Sequence, residues 1–190
     1  MRVEQYVMAY GVEHDRLRAI LPDGFISLRP VLRINAEVRD DSVGYLEFNT
    51  AVEKDGQRGW LNIAFWTDVP FFRCGKTVTF SPAGLKIAFT GVGLQGGCPA
   101  EKDNSGCFFL DDEPRFLPAE RITANKEFCD CTFAWCMDGA GASGSSIGMT
   151  LPAIPEQVMT VYPKKALTVE NAAVIPCKQV LGSYVVRFTR

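Results

Sequence analysis

Glu47 and the residues that share its alternation carry the clearest chemistry in this sequence. In the run 45–52, Tyr45, Glu47 and Asn49 alternate with Leu46, Phe48 and Val52. In 31–38, Val31, Arg33, Asn35 and Glu37 alternate with Leu32, Ile34, Ala36 and Val38. In 60–66, Trp60, Asn62 and Trp66 oppose Leu61, Ile63 and Phe65. A period of two places each set on one side of a strand, giving one apolar face and one face of Asn, Arg and Glu mixed with Trp and Tyr. A carboxylate in such company can orient a ligand hydroxyl or take a proton, so Glu47 is the candidate catalytic residue. Arg33, Asn35, Asn49, Asn62 and Trp66 are the candidate ligand contacts. Two readings of the mixed face stand side by side. It is either a solvated face of a half-exposed sheet or the lining of a polar, aromatic cavity.

Other reactive residue types point elsewhere. His14 is the single histidine, at the start of an expected helix, and reads as a surface residue rather than the base of a Ser–His or Cys–His pair. Cys129 and Cys131 share a strand face with Phe133 and Trp135, which suits small hydrophobes in a core. Cys136 lies nearby, but paired Cys-x-x-Cys spacing and a histidine partner are missing, so no metal is expected. The glycine-rich run 138–146 lacks the Gly-Lys-Ser/Thr ending of a phosphate loop and reads as a flexible loop. No cofactor is implied.

Strands must position these residues. The chain has 190 residues, 47% of them hydrophobic, which fits one α+β domain over residues 1–190 with a sizeable core. Strands are expected at 2–10, 30–38, 44–53, 59–67, 85–92, 106–110, 126–136, 156–162 and 180–188. A helix is expected at 13–21, packed through Leu17, Ile20 and Leu21, and a short helix capped by Asp68 with Pro70 in its first turn. Lys54-Asp55-Gly56-Gln57 reads as a hairpin turn, and 92–104 as a glycine-rich loop. The sum is mainly an antiparallel, curved or barrel-like β-sheet with a few short helices. A net charge of −2 supplies no field for nucleic acid or anionic lipid. The opening residues lack the apolar core of a signal peptide, no run is long enough to span a membrane, and the seven cysteines follow no disulfide framework. A cytoplasmic protein with a small-molecule partner is the expectation, and a homo-oligomer is allowed.

From Tyr10 to Lys86 the sequence resembles the acetoacetate decarboxylase-like superfamily in motif order and spacing. The similar stretches are DRLRAILPDGF (15–25), RPVLRI (29–34), GYLEF (44–48) and GWLNIAFWTDVPFFRCGK (59–76). The resemblance implies an antiparallel cavity fold and maps a cavity glutamate onto Glu47, with a second cavity carboxylate falling at or near Asn35. It also implies a Tyr-Pro-Lys-Lys-Leu turn whose first lysine forms a Schiff base with a keto group, its pKa lowered by the second lysine. Here Ser81-Pro82-Ala83-Gly84-Leu85 stands in that place, and neither Ala83 nor Gly84 can form an iminium.

The resemblance therefore implies a binding protein or a Schiff-base-independent enzyme for a small carbonyl or carboxylate compound, not a conventional decarboxylase. Ala83, in the lysine's place, is a further candidate contact, and so is Lys86, two residues beyond Gly84 on an expected cavity face, set against a lysine with its head in solvent. Tyr162-Pro163-Lys164-Lys165 repeats the tetrapeptide far from its usual place, and a coincidental match with Lys164 and Lys165 as solvated turn lysines stands beside the reading of a relocated amine. A decarboxylase or aldolase-type lyase using a displaced Lys164, Lys165 or Lys86 is the second expectation. A non-catalytic interaction module using the mixed face is the third.

Overall fold

Long strands form where every second side chain is apolar enough to bury. β1 (Arg2–Gly11), β2 (Ile26–Arg39), β3 (Val43–Lys54) and β4 (Gln57–Thr67) pair antiparallel in spatial order β4-β3-β2-β1. The computed structural model describes residues 1–100, 106–117, 120–137, 141–146 and 166–190. Asp55 and Gly56, both at positive φ, close the β3–β4 hairpin as the turn chemistry requires. Between β1 and β2 lies α1 (His14–Ile20), which buries Leu17 and Ile20 in the core, while Leu21 packs on a smaller apolar cluster with Phe25.

The chain then forms β5 (Phe71–Cys74), β6 (Thr77–Phe80), β7 (Leu85–Thr90) and β8 (Gly97–Cys98). It continues through β9 (Cys107–Leu110), β10 (Glu113–Phe116), β11 (Arg121–Ile122) and β12 (Lys126–Trp135). β13 (Ser143–Ser145), α2 (Val169–Ala173) and β14 (Gln179–Thr189) complete the described elements. The sheet runs β10-β9-β4-β3-β2-β1-β14-β12-β7-β6-β5, and β4–β9 is its parallel pairing. Apolar faces of the two halves meet. Tyr6, Met8, Ile34 and Phe48 pack with Phe80, Phe89, Phe133 and Trp135. Tyr10 stacks on Phe133 at 4.6 Å, and Phe48 meets Trp135 at 4.8 Å between ring centroids. Cys129 and Cys131 are buried in this core beside Phe133 and Trp135.

Several expectations change. Among the described residues the sheet is open, with β10 and β5 as its ends, so it is strongly folded over but not a closed barrel. Asp68 caps no helix. It sits at φ +54°, the buried Val69 donates its N–H to the Gly44 carbonyl, and the chain passes extended into β5. Burial of Val69 against the sheet overrides the local helix signal. Within 138–146, residues 143–145 form β13 against β12 rather than a free loop. α2 was not anticipated, although Thr168 caps it by accepting the Asn171 N–H at 3.2 Å. The strand expected at 156–162 lies outside the described residues. No described helix is long and apolar enough to cross a membrane.

Candidate functional site

The mixed face is not solvated. Arg33, Asn35, Glu37 and Asn49 are 6%, 4%, 1% and 2% exposed. A cavity of about 650 Å³ lies over β4, β3, β2, β1 and β14, lined also by residues of the chain between Ala100 and Lys126. Burial of these four residues counts against the solvated-face reading for this part of β2 and β3. Glu47, Arg33, Asn35, Asn49 and Asn62 all line the cavity.

Strand pairing explains how they meet. Asn35 faces Glu47 across β2–β3, and Arg33 faces Asn49, which in turn faces Asn62 on β4. Asn35 Nδ2 donates to Glu47 Oε2 at 3.3 Å, and Tyr45 O–H donates to Glu47 Oε1 at 2.8 Å. Burial, and then the charge of Glu47, push the Tyr45 phenol far above its usual value, so it stays a proton donor to that carboxylate. Arg33 Nε donates to Asn49 Oδ1 at 2.9 Å, and its guanidinium lies 3.5 Å above the Trp60 ring centroid. Glu37, two residues beyond Asn35 on the same face of β2, accepts from Arg39 at 2.8 Å and from Arg190 at 2.9 Å, so its buried charge is well compensated. Burial opposes the Arg190 charge, but Glu37 and Glu120 outweigh it and hold that guanidinium above its ordinary value.

Among the described residues, three buried polar atoms here have no partner: Asn35 Oδ1, Trp60 Nε1 and Asn62 Oδ1, all on residues of the cavity wall. An unpaired buried polar atom costs about 1–3 kcal/mol, so these atoms are suited to a bound molecule or water.

Three expected site residues lie elsewhere. Trp66 packs on the apolar core, 6.3 Å from Trp135 between ring centroids. The cause is a bulge: Asn49 pairs with Asn62 but Phe48 pairs with Ala64, so Ile63 is an extra residue and the alternation reverses after it. Phe65, expected on the apolar face, consequently lines the cavity. Ala83 is exposed in the turn before β7, and Gly84 lies beside Met137, away from the cavity wall. Lys86 is exposed as well, because Leu85, Ile87 and Phe89 take the core side of β7. Lys164 and Lys165 lie outside the described residues.

The structure adds residues that sequence spacing does not reveal. Lys126, at the start of β12, lines the cavity with its ammonium 4.2 Å from the Tyr184 ring centroid. Tyr184 and Arg190 arrive on β14, and Gln5 on β1. The alternation on β12, which buries Cys129, Cys131, Phe133 and Trp135, puts Lys126 on the opposite side and was legible. That this side borders the cavity lined by Glu47 was not. His14 is exposed on α1 and takes no part.

No protein-family model matches the chain, and no curated protein matches its sequence. Solved structures do match. An acetoacetate decarboxylase from Legionella pneumophila aligns over 99% of this chain and 82% of its own, with a TM-score of 0.55 and 14% identity. The enduracididine biosynthesis enzyme MppR, complexed with the condensation product of pyruvate and imidazole 4-carboxaldehyde, aligns over 98% of this chain and 84% of its own (TM-score 0.53, 12% identity). A further acetoacetate decarboxylase structure aligns over 98% and 83%, with a TM-score of 0.53 and 11% identity.

Proposed function

We propose, from the premise that this chain is built on the acetoacetate decarboxylase-like fold, that its cavity binds a small carbonyl or carboxylate compound without an imine at residues 81–85. One observation carries the reading: three buried polar atoms without partners belong to the cavity wall around Glu47. Glu47 acts as the general base or the orienting carboxylate. Tyr45 and Asn35 hold both of its oxygens in place. Arg33 and Asn49 brace each other beside it. Together these groups suit proton transfer next to a carbonyl, as in enolisation, hydration or lactone chemistry, which need positioned carboxylate and amide groups but no covalent intermediate.

A second reading rests on Lys126. It is the lysine among the described cavity-lining residues, and a neutral amine there would form a Schiff base with a keto compound. Sodium borohydride treatment with pyruvate, acetoacetate and hydroxypyruvate, followed by peptide mass spectrometry, separates the two. The first reading expects no lysine adduct and a ligand-dependent rise in Tm that is lost when Asn49→Trp fills the cavity. An adduct on Lys126 replaces it with the second reading. An adduct on Lys86, Lys164 or Lys165 replaces it with a lyase that uses a displaced lysine.

A further inference from the structure

The cavity's unsatisfied atoms specify more than a small carbonyl compound. Asn35 spends its Nδ2 on Glu47, so the atom left unpaired is fixed as Oδ1, an acceptor that needs a donor. Trp60 Nε1 can only donate and needs an acceptor. The Asn62 amide needs a partner for its buried end, and a hydroxyl satisfies it in either orientation. Pyruvate and acetoacetate anions carry acceptors alone, so neither supplies what Asn35 Oδ1 lacks. A carboxylate placed there would also confront Glu47.

Register sets the length. Asn35 shares a row with Glu47 and Phe65, and Asn62 shares the next row with Arg33 and Asn49. Two strand spacings of about 4.8 Å and one residue pair of about 6.8 Å put the Asn35 and Asn62 backbones about 12 Å apart. Side chains on one face stand roughly perpendicular to the sheet, so their tips keep about that separation. Two hydrogen bonds of about 2.8 Å leave roughly 6 Å between the two ligand oxygens, the span of a four-carbon segment with an oxygen at each end, so a chain of four or more carbons is required. The cavity of about 650 Å³ has room for it, and a three-carbon acid would leave much of that space unfilled.

Building on the proposed function, we infer that the ligand is a polyhydroxylated carbonyl or carboxylate compound of four to six carbons. A hydroxyl at one end donates to Asn35 Oδ1, and oxygens at the other meet Asn62 and Trp60 Nε1. A carboxylate group, where the ligand carries one, lies away from Glu47.

Titration calorimetry with four probes tests this: gluconate, hexanoate, glycerate and pyruvate. Gluconate should bind at least about tenfold more tightly than hexanoate or pyruvate, the equivalent of one well-made hydrogen bond. Asn62→Leu should weaken gluconate about tenfold and leave glycerate unchanged, because only the longer probe reaches the second row. Trp60→Phe, which removes the Nε1–H, should show the same split and serves if Asn62→Leu does not fold. Hexanoate or pyruvate binding as tightly as gluconate overturns the requirement for donors. Equal losses for gluconate and glycerate overturn the two-row span. If no probe binds, and hydroxypyruvate gives no Tm rise either, the cavity is not a ligand site. The proposed function then fails together with this inference, whereas binding of pyruvate alone sinks only the inference.

Discussion

Asn35 and Glu47 face each other across β2 and β3, joined by a hydrogen bond of 3.3 Å that leaves Asn35 Oδ1 unpaired in the cavity wall. The amide is what makes the pair compatible with a buried Asn35 beside a half-buried Glu47, since it donates to the carboxylate. Asn35→Asp would set two carboxylates against each other, and one would hold its proton to higher pH. A raised folded pKa means that the stability tied to the bound proton is present at low pH and lost as pH rises through that value. The variant should therefore lose about 1–2 kcal/mol more than the wild-type protein between pH 4.5 and 7.5. Urea unfolding at both pH values measures this, and parallel curves for the two proteins would count against the direct pairing.

The turn at 81–85 makes a second prediction. Gly84 holds φ +75°, a conformation that costs a residue with a side chain about 1–2 kcal/mol, and its added Cβ would sit 3.6 Å from Met137. Ala83→Lys at its exposed neighbour should be tolerated, while Gly84→Lys should lower stability by about 1–2 kcal/mol. Neither variant should gain imine chemistry, because this turn does not border the cavity. A borohydride-trapped pyruvate adduct on the lysine introduced at 83 would show that the turn does reach it.

A third concerns Gly44. A Cβ at this position would lie 2.1 Å from the Val69 carbonyl oxygen, backbone that also accepts no compromise from the Val69 N–H to Gly44 bond. Gly44→Ala should cost about 2 kcal/mol or more by forcing β3 away from residue 69. Thermal unfolding measures the loss, and an unchanged Tm would mean that residues 68–70 do not pack on β3 as described.

The thiols provide a fourth. Burial pushes Cys129 up to about 11, Cys131 up to about 12 and Cys177 up to about 11, so at pH 8 they are protonated as well as inaccessible. Cys74 and Cys136 are exposed. Brief iodoacetamide treatment read by peptide mass spectrometry should label Cys74 and Cys136 and spare the other three. Fast labelling of Cys129 or Cys131 would contradict their place in the core.

Acid stability gives the last prediction. Burial of Glu4 opposes its charge, but hydrogen bonds from Tyr6 and Arg73, with the charges of Arg73 and Arg187, prevail and hold it below its ordinary 4.5. A depressed folded pKa contributes stability that is present above the unfolded value and lost as pH falls through the folded one. Glu4→Gln should therefore destabilise at pH 7 and show a shallower loss than wild type below pH 4.5. Guanidinium unfolding across pH 3–7 reads the difference, and identical slopes would remove Glu4 from the acid response.

The sequence by itself determined the faces of β2 and β3 over 32–38 and 45–49, because apolar and polar residues alternate there without interruption and a period of two leaves no other assignment. It determined α1 and the 55–56 turn through local chemistry, and it pointed to the fold through motif order. Only the tertiary structure decided where the alternation breaks. The extra residue at Ile63 is invisible to a pattern of apolar neighbours, since Ile63, Ala64 and Phe65 read alike, yet it exchanges Phe65 for Trp66 in the cavity. Tertiary structure alone also brought Lys126, Tyr184 and Arg190 to the cavity that Glu47 lines and left Ala83 and Lys86 outside it. Those placements depend on which distant strands pair and how the sheet folds over, and local spacing carries no record of either. Burial was decided at the same level: a face of Arg, Asn and Glu looks solvated until another part of the chain covers it, and the unpaired atoms of Asn35, Trp60 and Asn62 exist only because of that covering.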